Sequence, residues 1–408
     1  MSISSLLQLP VRVVRKVLRE SDRCVAALPT RQRRLEQSLI EQLGINGIPS
    51  AIKFDFEILR DTALDFAESL SDEPGGVQFR YAHSVSAPTI YSSVYVLMLY
   101  SLFNAMDRIR PERRQRWREY LDSMQNAEDG LFYDPVLDGP EFRRQDWWGA
   151  RHLAPHVLMA YTALGEKPPH SFRFLREYNS REKVTQWLEN LRRSKPFVDA
   201  SNQIMNIGVL MQYERDARGD SDCAAAMDGL FDYMNQHMDL KTGLWWRGHP
   251  IRGGKALSHA VQGAYHLHPL YLYDGVQLPA AERMVQHVLQ TQGPLGGFGL
   301  TSNSTGCEDI DSIFPLCMFG LKGSSRSATE RALLRTLPWV LSHRNPDGGF
   351  SWVRYRKFTY GHPVMTAEEN ESELFGTWFR LLSLAYLSRA LGLPHGFHLN
   401  RCPGYEIA

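Results

Sequence analysis

Apolar residues along this chain fall at three- and four-residue spacings over long stretches and nowhere sustain the strict alternation of a half-buried strand, so the pattern predicts an all-α protein. Two kinds of helix can be told apart. Segments such as Ile90 to Met106 and Phe375 to Leu391 are apolar nearly all round and are predicted to be buried. Segments such as PERRQRWREYLDSM and TERALLRTLPWVLS carry charge on one face and suit an outer layer against water.

Between the helices a short motif recurs, a turn glycine followed by an aromatic: EPGGVQF at Gly76, EDGLFY at Gly130, KTGLWW at Gly243, LGGFGL at Gly297 and DGGFSW at Gly349. The intervals are about 54, 113, 54 and 52 residues; the long one is close to two periods and puts a degenerate turn near SKPFVD at Lys195. Six units of two helices follow. The expected fold is an α6/α6 toroid (barrel), with six buried inner helices inside six amphipathic outer ones, after an N-terminal helical extension. The boundaries read as 1–55 for the extension, 56–395 for the toroid and 396–408 for a C-terminal tail. Glycine allows a tight turn with positive φ, and the aromatic that follows fills the gap between neighbouring helix pairs.

With each inner helix starting some ten to fifteen residues past its turn, the helix N-termini gather polar side chains at one rim. The second unit offers Asp146 and His152, the third Asn202, the fourth His259 and His266, the fifth Glu308, Asp309 and Asp311, and the sixth Glu371 and Glu373. Trp147, Trp148, Tyr265, Phe314 and Trp378 are expected to line the same cavity. A single acid in a first helical turn is explained by the helix dipole, and Thr305 with Glu308 fits a capping box. Three carboxylates within residues 308–311 exceed what one cap needs. Crowded and partly desolvated, they raise one another's pKa, so that one can keep its proton at neutral pH and act as a general acid. Shared oxygen coordination of a divalent cation at Glu308, Asp309 and Asp311 is the other outcome left open by the residues. An acid beside aromatic faces suits protonation of an alkene and stabilisation of the resulting cation, although sugar rings stack on such faces too.

Composition narrows the partners. Lys+Arg of 46 against Asp+Glu of 45 leaves a net charge of +1 and no field to recruit nucleic acid, so the expected partner is a small-molecule or lipid-like substrate. The five cysteines are scattered without CxxC spacing, which fits neither a disulfide framework nor a zinc ribbon; a cytoplasmic location is expected. No stretch approaches the roughly 20 apolar residues that span a bilayer. Residues 5–19 mix leucine and valine with Arg12, Arg15, Lys16 and Arg19, which leaves open a peripheral contact with the inner membrane through this N-terminal segment. The Gly-x-Gly pieces are turn glycines rather than phosphate loops, so no nucleotide cofactor is expected; protonation of an alkene needs no metal, and the divalent cation at Glu308, Asp309 and Asp311 stays the open alternative.

The segment GGFGLTSNSTGCEDIDSIFPLCMF, residues 296–319, resembles the class II terpene cyclases, squalene-hopene cyclases above all. In that family a Gly-Gly-aromatic turn precedes a D-x-D-D-T-A motif that opens an inner helix of an α6/α6 barrel. The turns at Gly130, Gly297 and Gly349, with Gln125 and Gln292, are similar to the family's QW repeats, which extends the resemblance over roughly residues 60–395. It implies that Asp309 and Asp311 occupy the first and second aspartates, the second being the general acid. Ser312 stands in place of the third aspartate and Ile313 in place of the threonine. The implied activity is protonation-initiated cyclisation or isomerisation of an isoprenoid by Asp311, assisted by Asp309, Glu308 and His259. Protein prenyltransferases are relatives of this fold, but their Asp-x-Cys zinc ligands run in the order opposite to Cys307-Glu308-Asp309. Two other readings stand beside the resemblance. One is a carbohydrate-active enzyme that pairs Asp311 with Glu371 or Glu373 across a glycosidic bond. The other is a non-catalytic toroid that binds a protein or lipid-linked partner, its acids serving as caps.

Overall fold

The computed structural model describes residues 54–144, 147–245 and 253–407. Its helices come in pairs: α1 (Phe56–Glu68) with α2 (Ile90–Leu102), α3 (Pro111–Met124) with α4 (Ala150–Leu164), and α5 (Arg181–Ser194) with α6 (Phe197–Arg218). The second half repeats the scheme with α7 (Ser221–Gln236) and α8 (Gly253–Tyr265), α9 (Ala281–Leu289) and α10 (Gly306–Phe319), and α11 (Arg326–Leu341) and α12 (Leu374–Leu391). The second helix of each pair is the inner one. Each inner helix packs on the next, α2 on α4 and so on to α10 on α12, and α12 packs back on α2. The ring is closed, and the fold is the expected α6/α6 toroid.

The two layers follow from the two residue patterns. Every residue of α2 is buried, as is α12 from Leu374 to Ser388, whereas α3 buries only Trp117 and Leu121, and α5 only Val184, Leu188 and Leu191. An α-helix buries a three- to four-residue stripe when one side meets the core and its whole girth when it lies between neighbours. Thr89, Ser180 and Asp220 cap α2, α5 and α7 through their side chains, and Gly165, Gly219 and Gly392 end α4, α6 and α12 in the left-handed conformation.

The recurrent turns are miniature antiparallel hairpins, bridged at Gln125 and Phe132, Gln292 and Phe298, and Arg344 and Phe350. In the Gly-Gly turns the first glycine carries the positive φ: Gly296 at 99° and Gly348 at 92°. A Cβ there would lie 2.1 Å from Arg335 O and 2.2 Å from Thr62 O, so each turn presses on the backbone of the next outer helix. Thr62 belongs to α1, and the last turn thereby closes the outer layer onto the first helix. In two of the three QW-like turns a glutamine braces this joint, Gln125 Nε2 donating to Gly130 O (2.8 Å) and His170 O (2.9 Å), and Gln292 Nε2 to Gly296 O (3.1 Å) and Ala332 O (2.8 Å).

The degenerate turn near Lys195 is a bare two-residue link. No hairpin stands near Lys195; α5 ends at Ser194 and α6 starts at Phe197, because Pro196 with its fixed φ of −57° follows an extended Lys195 and reverses the chain in two residues. The C-terminal tail packs on the toroid. His398 N donates to Leu102 O (2.8 Å), Thr162 Oγ1 to Cys402 Sγ (3.5 Å) and Arg401 Nη2 to Tyr273 O (2.5 Å), so the segment crosses the C-terminal mouth of the inner ring. Phe397, Cys402, Tyr405 and Ile407 are buried there, and removal of this apolar surface from water holds the segment in place. Among the described residues no helix is long and apolar enough to cross a membrane. The basic N-terminal segment lies outside the described residues.

Candidate functional site

The acidic cluster sits at the start of α10 and divides by helix geometry. Residues two apart on an α-helix point about 200° away from each other, so Asp309 and Asp311 cannot serve one pocket. Asp309 faces outward into the seam with α11 and α12. Its Oδ1 accepts from Phe298 N (2.9 Å) and Ser304 Oγ (2.7 Å), and its Oδ2 from Trp339 Nε1 (2.9 Å) and from Arg380 Nη1 in an ion pair without solvent exposure. Arg380 Nη2 continues to Ser304 O (3.2 Å) and Trp352 O (2.8 Å). This network ties the turn before α10 to α11 and α12, a positional task rather than a chemical one.

Glu308 is also occupied. Its Oε2 accepts from Thr305 N (2.9 Å) and its Oε1 from Leu300 N (3.1 Å), completing the capping box with Thr305. The three carboxylates therefore do not converge on a common cation, and among the described residues no cluster of metal-ligating side chains occurs.

Asp311 is different. It lies on the inner stripe of α10 with Cys307 and Phe314, at i, i−4 and i+3, and is 2% exposed. Asp311 Oδ1 has no hydrogen-bond partner among the described residues. Burial holds its carboxyl well above the ordinary carboxylate range, and the neighbouring charges of Glu308 and Asp309 push it further. Such a group keeps its proton where an exposed aspartate would have lost it.

Around this acid the inner helices supply aromatic and imidazole groups. Tyr265 and Tyr405 are close enough to sense the charge of Asp311. The Phe314 ring lies 5.5 Å from that of Tyr265 and 5.1 Å from that of Tyr386. Across the ring, Trp378 stacks on Tyr95 at 5.5 Å and meets His156 at 5.7 Å and Tyr405 at 5.4 Å. His152 Nδ1 is bonded to Tyr91 Oη (2.9 Å) and lies 3.3 Å from Tyr360 Oη. Burial drives the His152 imidazole well below its ordinary pKa and those of His156 and His266 down to about 4. His266 and Cys307 are half-buried at neighbouring inner helices, and burial pushes the Cys307 thiol well above its ordinary pKa.

The remaining residues singled out from the sequence are placed as follows. His266 Nδ1 pairs with Ser201 Oγ (3.0 Å), and Asn202, half-buried, accepts from Asn206 (3.3 Å). His259 is half-buried on α8. Trp148 is buried against Phe142 at 5.6 Å, while Trp147 stays 44% exposed at the N-terminal rim with its edge on Tyr360 at 5.7 Å. Glu371 is held by Ser84 N (2.8 Å) and Ser84 Oγ (2.6 Å). Glu373 caps α12, both oxygens accepting from Gly376 N (2.8 and 2.7 Å), and burial outweighs these bonds to push it up to about 7. Neither of these two glutamates is free to pair with Asp311. Asp146 lies outside the described residues.

Several participants escape a reading by rim position. Tyr91 and Tyr95 come from the first unit, where their i, i+4 spacing on an all-apolar helix was the available signal. Arg380, a charge in the apolar middle of α12, signals a buried partner by itself, since a fully buried guanidinium needs one. Tyr360 and Tyr405 sit in irregular segments that carry no period.

No protein-family profile matches the chain, and no curated protein matches it. Among solved structures it is similar to a variant of the type II terpene cyclase MstE from Scytonema in complex with geranylgeranyl dihydroxybenzoate, at 15% identity over 82% of this chain and 98% of that one, TM-score 0.45. It is similar to the GH76 alpha-mannanase of Bacteroides thetaiotaomicron at 12% identity over 86% and 98%, TM-score 0.45. A family 88 glycosyl hydrolase from Bacteroides vulgatus matches at 12% identity over 83% and 99%, TM-score 0.46. Likeness at this level does not bear on the chemistry.

Proposed function

We propose that the chain is an enzyme that protonates an alkene carbon of an isoprenoid-like substrate, with Asp311 as the general acid, and so starts a cyclisation or an isomerisation. The observation that carries this reading is Asp311 itself, a buried carboxyl with a free Oδ1, shifted toward its protonated form, amid tyrosine, phenylalanine and tryptophan rings. In the first step the carboxyl O–H gives its proton to one alkene carbon, the π pair becomes the new C–H bond, and the adjacent carbon is left cationic. Asp311 becomes a carboxylate. A second alkene of the same substrate can attack the cation to close a ring, and loss of a proton from a neighbouring carbon ends the sequence with no net change in protons.

The aromatic faces suit the cationic stage. A cation over a desolvated aromatic face gains about 2 kcal/mol, and Trp378, Tyr405 and Phe314 offer such rings near the acid. Asp309 serves as a positioning residue, because its bonds to Trp339 and Arg380 fix the first turn of α10. The glycosidic reading is less well supported, since it needs a second carboxylate facing Asp311, and Glu371 and Glu373 are engaged in turn and cap.

Mass spectrometry of products from the wild-type protein and from Asp311→Asn tests the proposal, using linear polyprenyl substrates and, in parallel, oligosaccharides. The expected result is a cyclised or isomerised prenyl product whose formation falls by about 10²–10⁴-fold in the Asn variant, the usual worth of a general acid. Sugar release that depends on Asp311, or prenyl product undiminished in Asp311→Asn, would sink it.

A further inference from the structure

The six inner helices are not covered alike. Over the N-terminal ends of α2 and α12 lies the hairpin that pairs Phe358–Thr359 with Thr366–Ala367. Its Tyr360 ring meets Phe375 of α12 at 4.3 Å and Tyr91 of α2 at 5.7 Å, and both helices are buried beneath it. On the other side of the ring, α6 and α8 keep accessible polar positions. From Ala200 to Gln212 of α6 only Asn202 is half-buried, its neighbours being buried, and from Val261 to Tyr265 of α8 only Gln262, with His266 after it.

These three side chains turn toward the axis. Val209, two helical turns past Asn202 on the same stripe of α6, lies against Gly404 of the segment that crosses the ring. On α8, Gly263 packs on Phe197 and Ser201 of α6, and the Tyr265 ring meets Phe314 of α10 at 5.5 Å. Gln262 lies on the face between those two contacts, four residues before His266. His266 is bonded to Ser201 of α6 (3.0 Å) and reaches the electrostatic neighbourhood of His152 on α4, beyond α6.

Their chemistry is neutral hydrogen bonding. Two are carboxamides, each with donors and an acceptor, and burial lowers His266 to about 4, so its ring is uncharged at neutral pH. Arg151 of α4 is engaged elsewhere, with Tyr178 Oη (3.2 Å) and over the Phe174 ring, and Lys255, two turns before Gln262 on the same stripe, is exposed at the rim. A diphosphate drawn out of water needs paired cations, whereas a hydroxyl is satisfied by amides and a neutral imidazole. We propose that Asn202, Gln262 and His266 form a subsite for a neutral hydroxyl at one end of the substrate, and so select a prenyl alcohol over the diphosphate or the bare hydrocarbon of the same chain. The inference rests on the proposed prenyl chemistry for its substrate class, but the choice of head group is read by binding, apart from turnover.

The experiment uses the full chain as wild type, Gln262→Leu, Asn202→Leu and Asp311→Asn, each checked for helical content and melting temperature. Binding of linear prenyl alcohols, their diphosphates and the hydrocarbons without the oxygen, at matched chain lengths, is followed by quenching of tryptophan fluorescence, and turnover by mass spectrometry. With two hydrogen bonds to its head, the alcohol is expected to bind the wild type about tenfold tighter than the hydrocarbon, and tighter than the diphosphate. Gln262→Leu, or Asn202→Leu should the first not fold, is expected to reduce that ratio to about threefold or less. The ratio, unlike the absolute affinities, does not move with general damage to the fold. A diphosphate that binds tightest, a hydrocarbon that binds as well as the alcohol, a ratio unchanged in the folded variants, or no binding of any of the three overturns the inference. Alcohol preference without Asp311-dependent turnover retains the subsite and rejects the acid; Asp311-dependent turnover without alcohol preference does the reverse.

Discussion

On its outward face α10 carries Asp309, and on its inward face, two residues later, Asp311, so that one functional group is placed in two opposite environments. Asp309 receives four hydrogen bonds, one of them from a buried arginine, and has no accessible surface. Asp311 is almost as deeply buried, but its Oδ1 has no partner and its neighbours are rings and like charges. Burial alone therefore does not decide the role of an acid. A satisfied carboxylate holds elements together, whereas an unsatisfied one resists ionisation and becomes a proton source. Helix geometry lets both occur in one turn of chain, with the charge of Asp309 adding to the upward shift of Asp311.

The largest way to break this contrast is to strip the outward face of its counter-charge. Arg380→Met leaves Asp309 buried and unpaired, and urea unfolding should show a loss of about 3–5 kcal/mol. Trp339→Phe keeps the ring but removes one bond to the carboxylate, with an expected loss of about 1.5–3 kcal/mol by the same measurement. On the inward face the sign reverses. Asp311→Asn replaces an acid that resists its charge with a neutral isostere, and at neutral pH the variant should gain about 0.5–2 kcal/mol while losing turnover.

The pH dependence sharpens the comparison further. The folded-state pKa of Asp311 lies above its unfolded value, so its favourable contribution is complete below the ordinary aspartate range and is lost as pH rises through the folded pKa. Melting curves of wild type and Asp311→Asn should therefore converge in acid and separate as pH rises. Glu373, pushed up to about 7, titrates in the same sense in both proteins and cancels from the difference.

Much of this architecture is legible in the residue pattern. The period of the Gly-aromatic turns and the contrast between all-apolar and one-sided helices lead to six helix pairs, and both survive because local turn chemistry and burial act over short stretches of chain. The acidic cluster is legible as a site but not as a division of labour. That division depends on Arg380, which is 71 residues from Asp309 in sequence and meets it only when α10 packs on α12. The degenerate turn near Lys195 is legible from the repeat interval, whereas its form, a two-residue link set by Pro196, is not. Tyr405 was hidden for another reason: an irregular segment has no period to read, and its inward direction follows from a single reversal at Gly404.

The most direct test of the central claim is an infrared difference spectrum between wild type and Asp311→Asn at neutral pH, recorded in the carbonyl-stretch region of protonated carboxylic acids. The account predicts a protonated-acid band in the wild type that vanishes in the variant. If the difference instead shows only the loss of an ionised carboxylate, Asp311 is not the proton source.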